Sequence, residues 1–99
     1  MTVQLNLTVN DNPIKTDYFV ADFIDHTVSG MIESLEGTGA IKDLKLSFDG
    51  DEVSVTLNGA EVQINVFVVK IIKSTMIGMI SPLKGVTSPV KKLHLVIKK

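Results

Sequence analysis

The chain contains no cysteine, and aromatic residues make up only 5% of its 99 positions. Without cysteine there are no disulfides, no thiolate metal sites and no thiol nucleophile. So few aromatics leave little material for stacking on nucleic-acid bases. Neither charge dominates. Ten basic side chains against eleven acidic ones leave a net charge of −1, far from the basic excess that gives nucleic-acid binders most of their affinity. No apolar run crosses a bilayer, because Val62 to Ile80 is interrupted by Gln63, Asn65, Lys70, Lys73 and Ser74. The opening residues Met1-Thr2-Val3-Gln4-Leu5 alternate instead of forming a basic head and an apolar plug, so a cytoplasmic location is the default expectation. What is present, 44% apolar and 21% charged residues in 10.8 kDa, is the composition of one folded domain over residues 1–99.

Compared with itself at an offset of about 48 residues, the chain repeats. Leu5, Leu7 and Val9 fall on Val53, Val55 and Leu57, and Asn10 falls on Asn58. Phe19-Val20 falls on Phe67-Val68, and Gly30-Met31-Ile32 on Gly78-Met79-Ile80. One added residue in the second half then brings Leu44, Leu46 and Phe48 onto Leu93, Leu95 and Ile97. A glycine and a turn asparagine shared within one apolar register point to duplication. Repeat one covers about residues 2–48 and repeat two about 51–98.

Each half reads strand, turn, short strand, helix, strand. Val3, Leu5, Leu7 and Val9 alternate with polar residues, as a half-buried strand does. Asn10 to Pro13 makes a turn. Asp17 and Asn65 are at equivalent places and are both good helix N-caps. The expected helical stripe is Val20, Phe23, Ile24, Thr27, Met31 and Leu35, recurring as Val68, Ile71, Ile72, Thr75, Met79 and Leu83. Gly37 and Gly85 fall where a left-handed helix stop needs glycine. Asp49-Gly50 between two alternating runs predicts the hairpin that joins the halves. Val62 to Val69 is rich in β-branched residues and reads as strand by propensity, but the repeat register places a helix start near Asn65. Pro82 ends or bends that helix. The fold class is therefore α+β: duplicated β-β-α-β units, about six mostly antiparallel strands with two helices on one face, and a pseudo-twofold axis. The other sheet face is expected to carry Gln4, Asn6, Thr8, Lys45, Ser47, Ser54, Thr56, His94 and Lys98.

Residues able to do chemistry are scattered. His26 lies one helical turn after Asp22, and His94 lies on a strand; the two have no metal-ligand spacing, so a surface ion pair for His26 is the plainer reading. Asp22, Asp25, Glu33 and Glu36 read as a solvated helix face. Thr27 and Thr75 lack a base and are expected to bond to their own helix carbonyls. Gly37-Thr38-Gly39 follows a helix instead of preceding one, unlike a phosphate loop. Tyr18, Phe19, Phe23, Phe48 and Phe67 are assigned to helices or inward strand positions. Lys91, Lys92, Lys98 and Lys99 form a solvated basic tail. No nucleophile, base and acid assemble into an enzyme's set.

The halves differ in charge and in grease. Asp22, Asp25 and Glu36 align with Lys70, Lys73 and Lys84, so the helices are expected either to attract each other or to offer charged patches to a partner. Helix two is apolar around most of its circumference, which calls for burial on more than one side. The first expectation is a non-catalytic interaction module that self-associates through helix two, with Val69, Lys70, Lys73, Met76 and Ile77 as the candidate interface. The alternative is an apolar-ligand binder with a cavity between helices and sheet, lined by Phe19, Met31, Phe67, Met76 and Met79. The expected partner is a protein, either a second copy or a different chain. No metal or other cofactor is implied, and nucleic acid is disfavoured.

Overall fold

The computed structural model describes residues 4–36 and 40–99. Eight elements follow one another: β1 (Gln4–Val9), β2 (Asn12–Ile14), α1 (Tyr18–Glu36), β3 (Asp43–Asp49), β4 (Glu52–Leu57), β5 (Ala60–Glu61), α2 (Val66–Ile80) and β6 (Lys92–Lys98). The strands form one six-stranded sheet in the order β2-β1-β6-β3-β4-β5. Every adjacent pair is antiparallel. β6, the last strand, inserts between β1 and β3. The protein is thus α+β, as its periodicities predict. The expected places of Val3 and of the glycine stop at Gly37 lie outside the described residues.

Alternation decides which face of the sheet is covered. Leu7, Val9, Leu44, Leu46, Phe48, Val55, Leu57, Leu93, Leu95 and Ile97 are buried and join the helices in one core. Their neighbours along each strand, including Gln4, Asn6, Lys45, Ser54, His94 and Lys98, are exposed, while Thr8, Ser47 and Thr56 are half-buried. Leu46 faces Leu95 across the central β3–β6 pair, and both are fully buried. The slab measures 34 × 33 × 18 Å.

Turn chemistry fixes the registers. The chain leaves β1 through Asn10 and Asp11, both at positive φ, and leaves β4 through Asn58 and Gly59, again both positive. Such pairs of left-handed residues match the twist of hairpin strands. Gly50, at φ 61°, opens the two-residue connection between Asp49 and Glu52.

Each asparagine also ties its hairpin to the loop that enters the neighbouring strand. Asn58 Oδ1 accepts from the backbone N–H groups of Lys42 and Asp43, both at 2.9 Å, while its Nδ2 donates to the Ala40 carbonyl. Asn10 Oδ1 accepts from Lys91 and Lys92 at 2.8 and 3.0 Å, and its Nδ2 donates to the carbonyls of Thr87 and Pro89.

The helices depart from the predicted stripe. Their buried rows are Ile24, Val28 and Ile32 on α1 and Ile72, Met76 and Ile80 on α2. Val20, Thr27 and Met31 are half-buried, whereas Phe23 and Leu35 are exposed. The true inward line is thus rotated from the expected one, toward the longest uninterrupted aliphatic i, i+4, i+8 row. Residues 66–69 are helical, as the repeat register requires and β-propensity does not. Helix α2 ends at Ile80, before Pro82, and Gly85 takes its positive φ in the turn beyond. Hydroxyls do bond back to helix carbonyls, but they belong to Ser34 and Ser81. Thr27 and Thr75 make no such bond among the described residues.

Candidate functional site

Both helices are started by a side chain. Asp17 Oδ1 accepts from Val20 N at 2.8 Å, and Asn65 Oδ1 accepts from Val68 N at 2.9 Å. These caps fix where each helix starts. With the aliphatic rows turned inward, the residues on the opposite side of the first two turns face outward: Tyr18, Phe19 and Phe23 on α1, and Val66, Phe67 and Ile71 on α2. Phe19 is 72% exposed and Phe67 68%. Burying either elsewhere would be worth about 1.5–3 kcal/mol. Tyr18, Phe19, Phe23 and Phe67 lie on helices and Phe48 at an inward strand position, as assigned, but Phe23 is not on the core-facing stripe expected of it, and Phe19 and Phe67 do not line an interior cavity.

The start of α1 lies against the end of α2. Between them runs an open apolar cleft of about 290 Å³, lined by Phe19, Val20 and Phe23 on one side and Met79, Pro82 and Leu83 on the other. The rings of Phe19 and Phe23 stand 6.0 Å apart, tilted by 45°. Gly30 and Gly78 are also exposed on the helices, and a Cβ added to either would meet nothing within 4 Å. A glycine inside a helix costs about 1 kcal/mol relative to alanine, and no contact among the described residues requires one at either place.

Of the residues expected at the interface, Val69, Lys70 and Lys73 converge on a second cleft of about 430 Å³ beside α2, together with Asp51, Ile64 and Val66. Ile77 is half-buried. Met76 is 0% exposed and belongs to the core, so no partner can touch it. The proposed ligand cavity is not assembled as expected either. Phe19 and Met79 line the interhelical cleft, Phe67 is exposed, Met31 is half-buried and Met76 is packed under α2.

The charged residues pair differently from the expectation that the helices attract each other. Asp25 is not solvated: it is 3% exposed, and its Oδ1 lies 3.0 Å from Lys99 Nζ and accepts from Ser29 Oγ at 3.0 Å. The Lys99 ammonium also donates to Ser29 Oγ at 3.1 Å, and its backbone N–H bonds to the Lys42 carbonyl. On α2, Lys73 pairs with Asp51 at 3.2 Å and stands over the Phe48 ring. Each helix is thus tied to the chain just beyond a central strand, with acid and base exchanged between the two ties. Asp22, Asp25 and His26 bring their side-chain O and N atoms within 4.8 Å of one another. The Asp25 carboxylate is already committed to Lys99 and Ser29, and the other two side chains are exposed, as expected of a solvated surface.

On the open sheet face a depression of about 400 Å³ collects Thr8, Ser47, Ser54 and His94, with Asp11, Asp49, Glu52 and Lys92 at its rim. Lys92 pairs with Asp11 at 3.6 Å. Among the described residues none of these hydroxyls hydrogen-bonds to His94. No described helix is long and apolar enough to cross a membrane. The aromatic outer surface of the helices was missed because an aromatic at helical spacing reads as core; the polar Thr27 and Thr75 inside the expected stripe were the signal against it. The chain matches no protein-family model, no curated protein and no solved structure.

Proposed function

We propose that the protein is a non-catalytic assembly module that self-associates through the outer face of its two helices. The observation that carries this reading is the exposure of Phe19, Phe23, Phe67 and Ile71 on one side of the molecule. Exposed apolar side chains gathered on one face mark an interaction surface far more often than scattered ones do. The surface has shifted from the interface predicted on sequence: it keeps the outer side of α2, loses Met76 and gains α1.

The same reading includes an internal duplication with a pseudo-twofold axis between β3 and β6. Several correspondences support it. The strand order reads the same from either edge when β1, β2 and β3 are exchanged for β4, β5 and β6. The pairing of Leu7 with Leu95 becomes that of Val55 with Leu46. The bonds of Asn10 to Lys91 and Lys92 become those of Asn58 to Lys42 and Asp43. Under that exchange Phe19 falls on Phe67 and Phe23 on Ile71, so one module presents the apolar surface twice.

A small apolar ligand in the interhelical cleft is the second reading. The cleft volume, about 290 Å³, sits at the lower limit of roughly 300 Å³ for ligand pockets, which favours assembly over ligand binding.

Sedimentation velocity from micromolar to millimolar concentration tests the assembly. The wild-type protein is expected to gain mass with concentration. Phe19→Ser and Phe67→Ser are each expected to hold it as a monomer while changing chain stability by no more than about 0.5 kcal/mol. A wild-type protein that stays monomeric throughout contradicts the proposal.

A further inference from the structure

Resting on that self-association, we infer that two copies meet helical layer to helical layer, with α1 of each seated on α2 of the other. Two copies facing each other about a twofold axis have two simple choices. An axis running along the helices lays α1 on the second copy's α2. An axis running across them lays like helix on like. Both arrangements bury Phe19, Phe23, Phe67 and Ile71, so apolar burial does not choose between them.

Charge does. Helix α1 contains Asp22, Asp25, Glu33 and Glu36 and no lysine or arginine, and α2 contains Lys70 and Lys73 and no carboxylate. Asp25 and Lys73 are already engaged within the chain. Asp22 and Glu33 on α1 and Lys70 on α2 are exposed and have no ion-pair partner among the described residues. Because the start of α1 lies beside the end of α2, the Lys70 end of α2 is level with the Glu33 end of α1. An axis along the helices preserves that level and brings Glu33 to Lys70 of the second copy, twice per dimer. An axis across them reverses it, setting Glu33 against the second copy's Asp22 and Lys70 against its α2, which has no carboxylate. Such like-charge contacts select against an arrangement.

The size of the face suits this occupant. A helix of 19 residues is about 28 Å long, and two side by side cover roughly 20 Å. With α2 shorter, at 15 residues and about 22 Å, the face is about 500 Å² per copy, or about 1,000 Å² for the pair, the size of a weak, reversible association below the roughly 1,200–2,000 Å² of stable interfaces. The two exposed glycines, Gly30 and Gly78, let helix backbones of the two copies approach closely.

Sedimentation equilibrium at low salt on Glu33→Lys, Lys70→Glu and the double variant tests the pairing, with circular dichroism to check that each remains folded. Each single reversal is expected to weaken self-association about tenfold, and the double variant is expected to return within about threefold of wild type. A Glu33→Lys variant that associates more tightly identifies like helix on like and overturns the pairing, since the new lysine would then meet Asp22. Unchanged single variants, or a double variant weaker than either, overturn it as well. In those outcomes a wild-type dimer that Phe67→Ser still dissociates leaves the self-association standing. A wild-type monomer at millimolar concentration overturns both.

Discussion

Replacing Lys99 by methionine is expected to destabilise the protein by about 3 kcal/mol, lowering the melting temperature by roughly 15 °C. The ammonium of Lys99 lies 3.0 Å from an Asp25 carboxylate whose side chain is only 5% exposed. Methionine fills similar space, but it leaves the carboxylate buried with one hydroxyl donor, Ser29. A charge that cannot reach water and has lost its counter-ion is among the most costly single defects in a fold. The converse change is expected to cost less. With Asp25→Asn the Ser29 bond can persist, and Lys99, at 26% side-chain exposure, can turn its ammonium to solvent. Replacing both residues by methionine is expected to recover most of the loss, because the buried ion pair adds little over apolar packing once neither charge remains. Urea unfolding of the four proteins measures this. A Lys99→Met variant as stable as wild type would mean that Asp25 is hydrated and that the tie does not hold α1.

Asn58→Ala and Asn10→Ala are each expected to cost about 2–3 kcal/mol by two additive effects. The carboxamide of Asn58 holds two backbone N–H groups and one carbonyl of the loop entering β3, and Asn10 does the same for the loop entering β6. Both residues also sit at positive φ, 50° and 49°, where alanine pays a steric cost that asparagine largely avoids. Glycine separates the contributions. Asn58→Gly keeps the backbone comfortable and loses only the bonds, so it is expected to lie between wild type and Asn58→Ala in thermal unfolding. Because the two brackets use corresponding atoms, the two alanine variants are expected to agree within about 1 kcal/mol. A strongly destabilised variant at one site and a neutral one at the other would speak against equivalent halves.

Strand alternation, turn asparagines and the two N-caps were legible because each depends on a few neighbouring residues. Leu44, Leu46 and Phe48 could face only one way once they alternated with Lys45 and Ser47. The helical start at Val66 was legible only through the repeat, since Val66 to Val69 favours strand by propensity, and packing of Ile72, Met76 and Ile80 decides the matter. The rotation of the helices was not legible. Periodicity finds an apolar side but weights Phe23 and Ile24 alike, and only the sheet beneath selects Ile24, Val28 and Ile32. That error turned the aromatic surface inward and Met76 outward. The burial of Asp25 was equally hidden, because its partner Lys99 is distant in sequence and looks like a solvated end. Strand order, with β6 between β1 and β3, arises from pairing between strands distant in sequence and has no local signature.

The most direct test of the account is to follow backbone amide resonances of the wild-type protein on dilution from millimolar to micromolar concentration. Changes are expected to concentrate at Phe19, Phe23, Gly30, Phe67, Ile71 and Gly78, leaving Thr8, Ser47, Ser54 and His94 on the open sheet unmoved. Spectra that do not change on dilution, or that change on the sheet face instead of the helices, would contradict it.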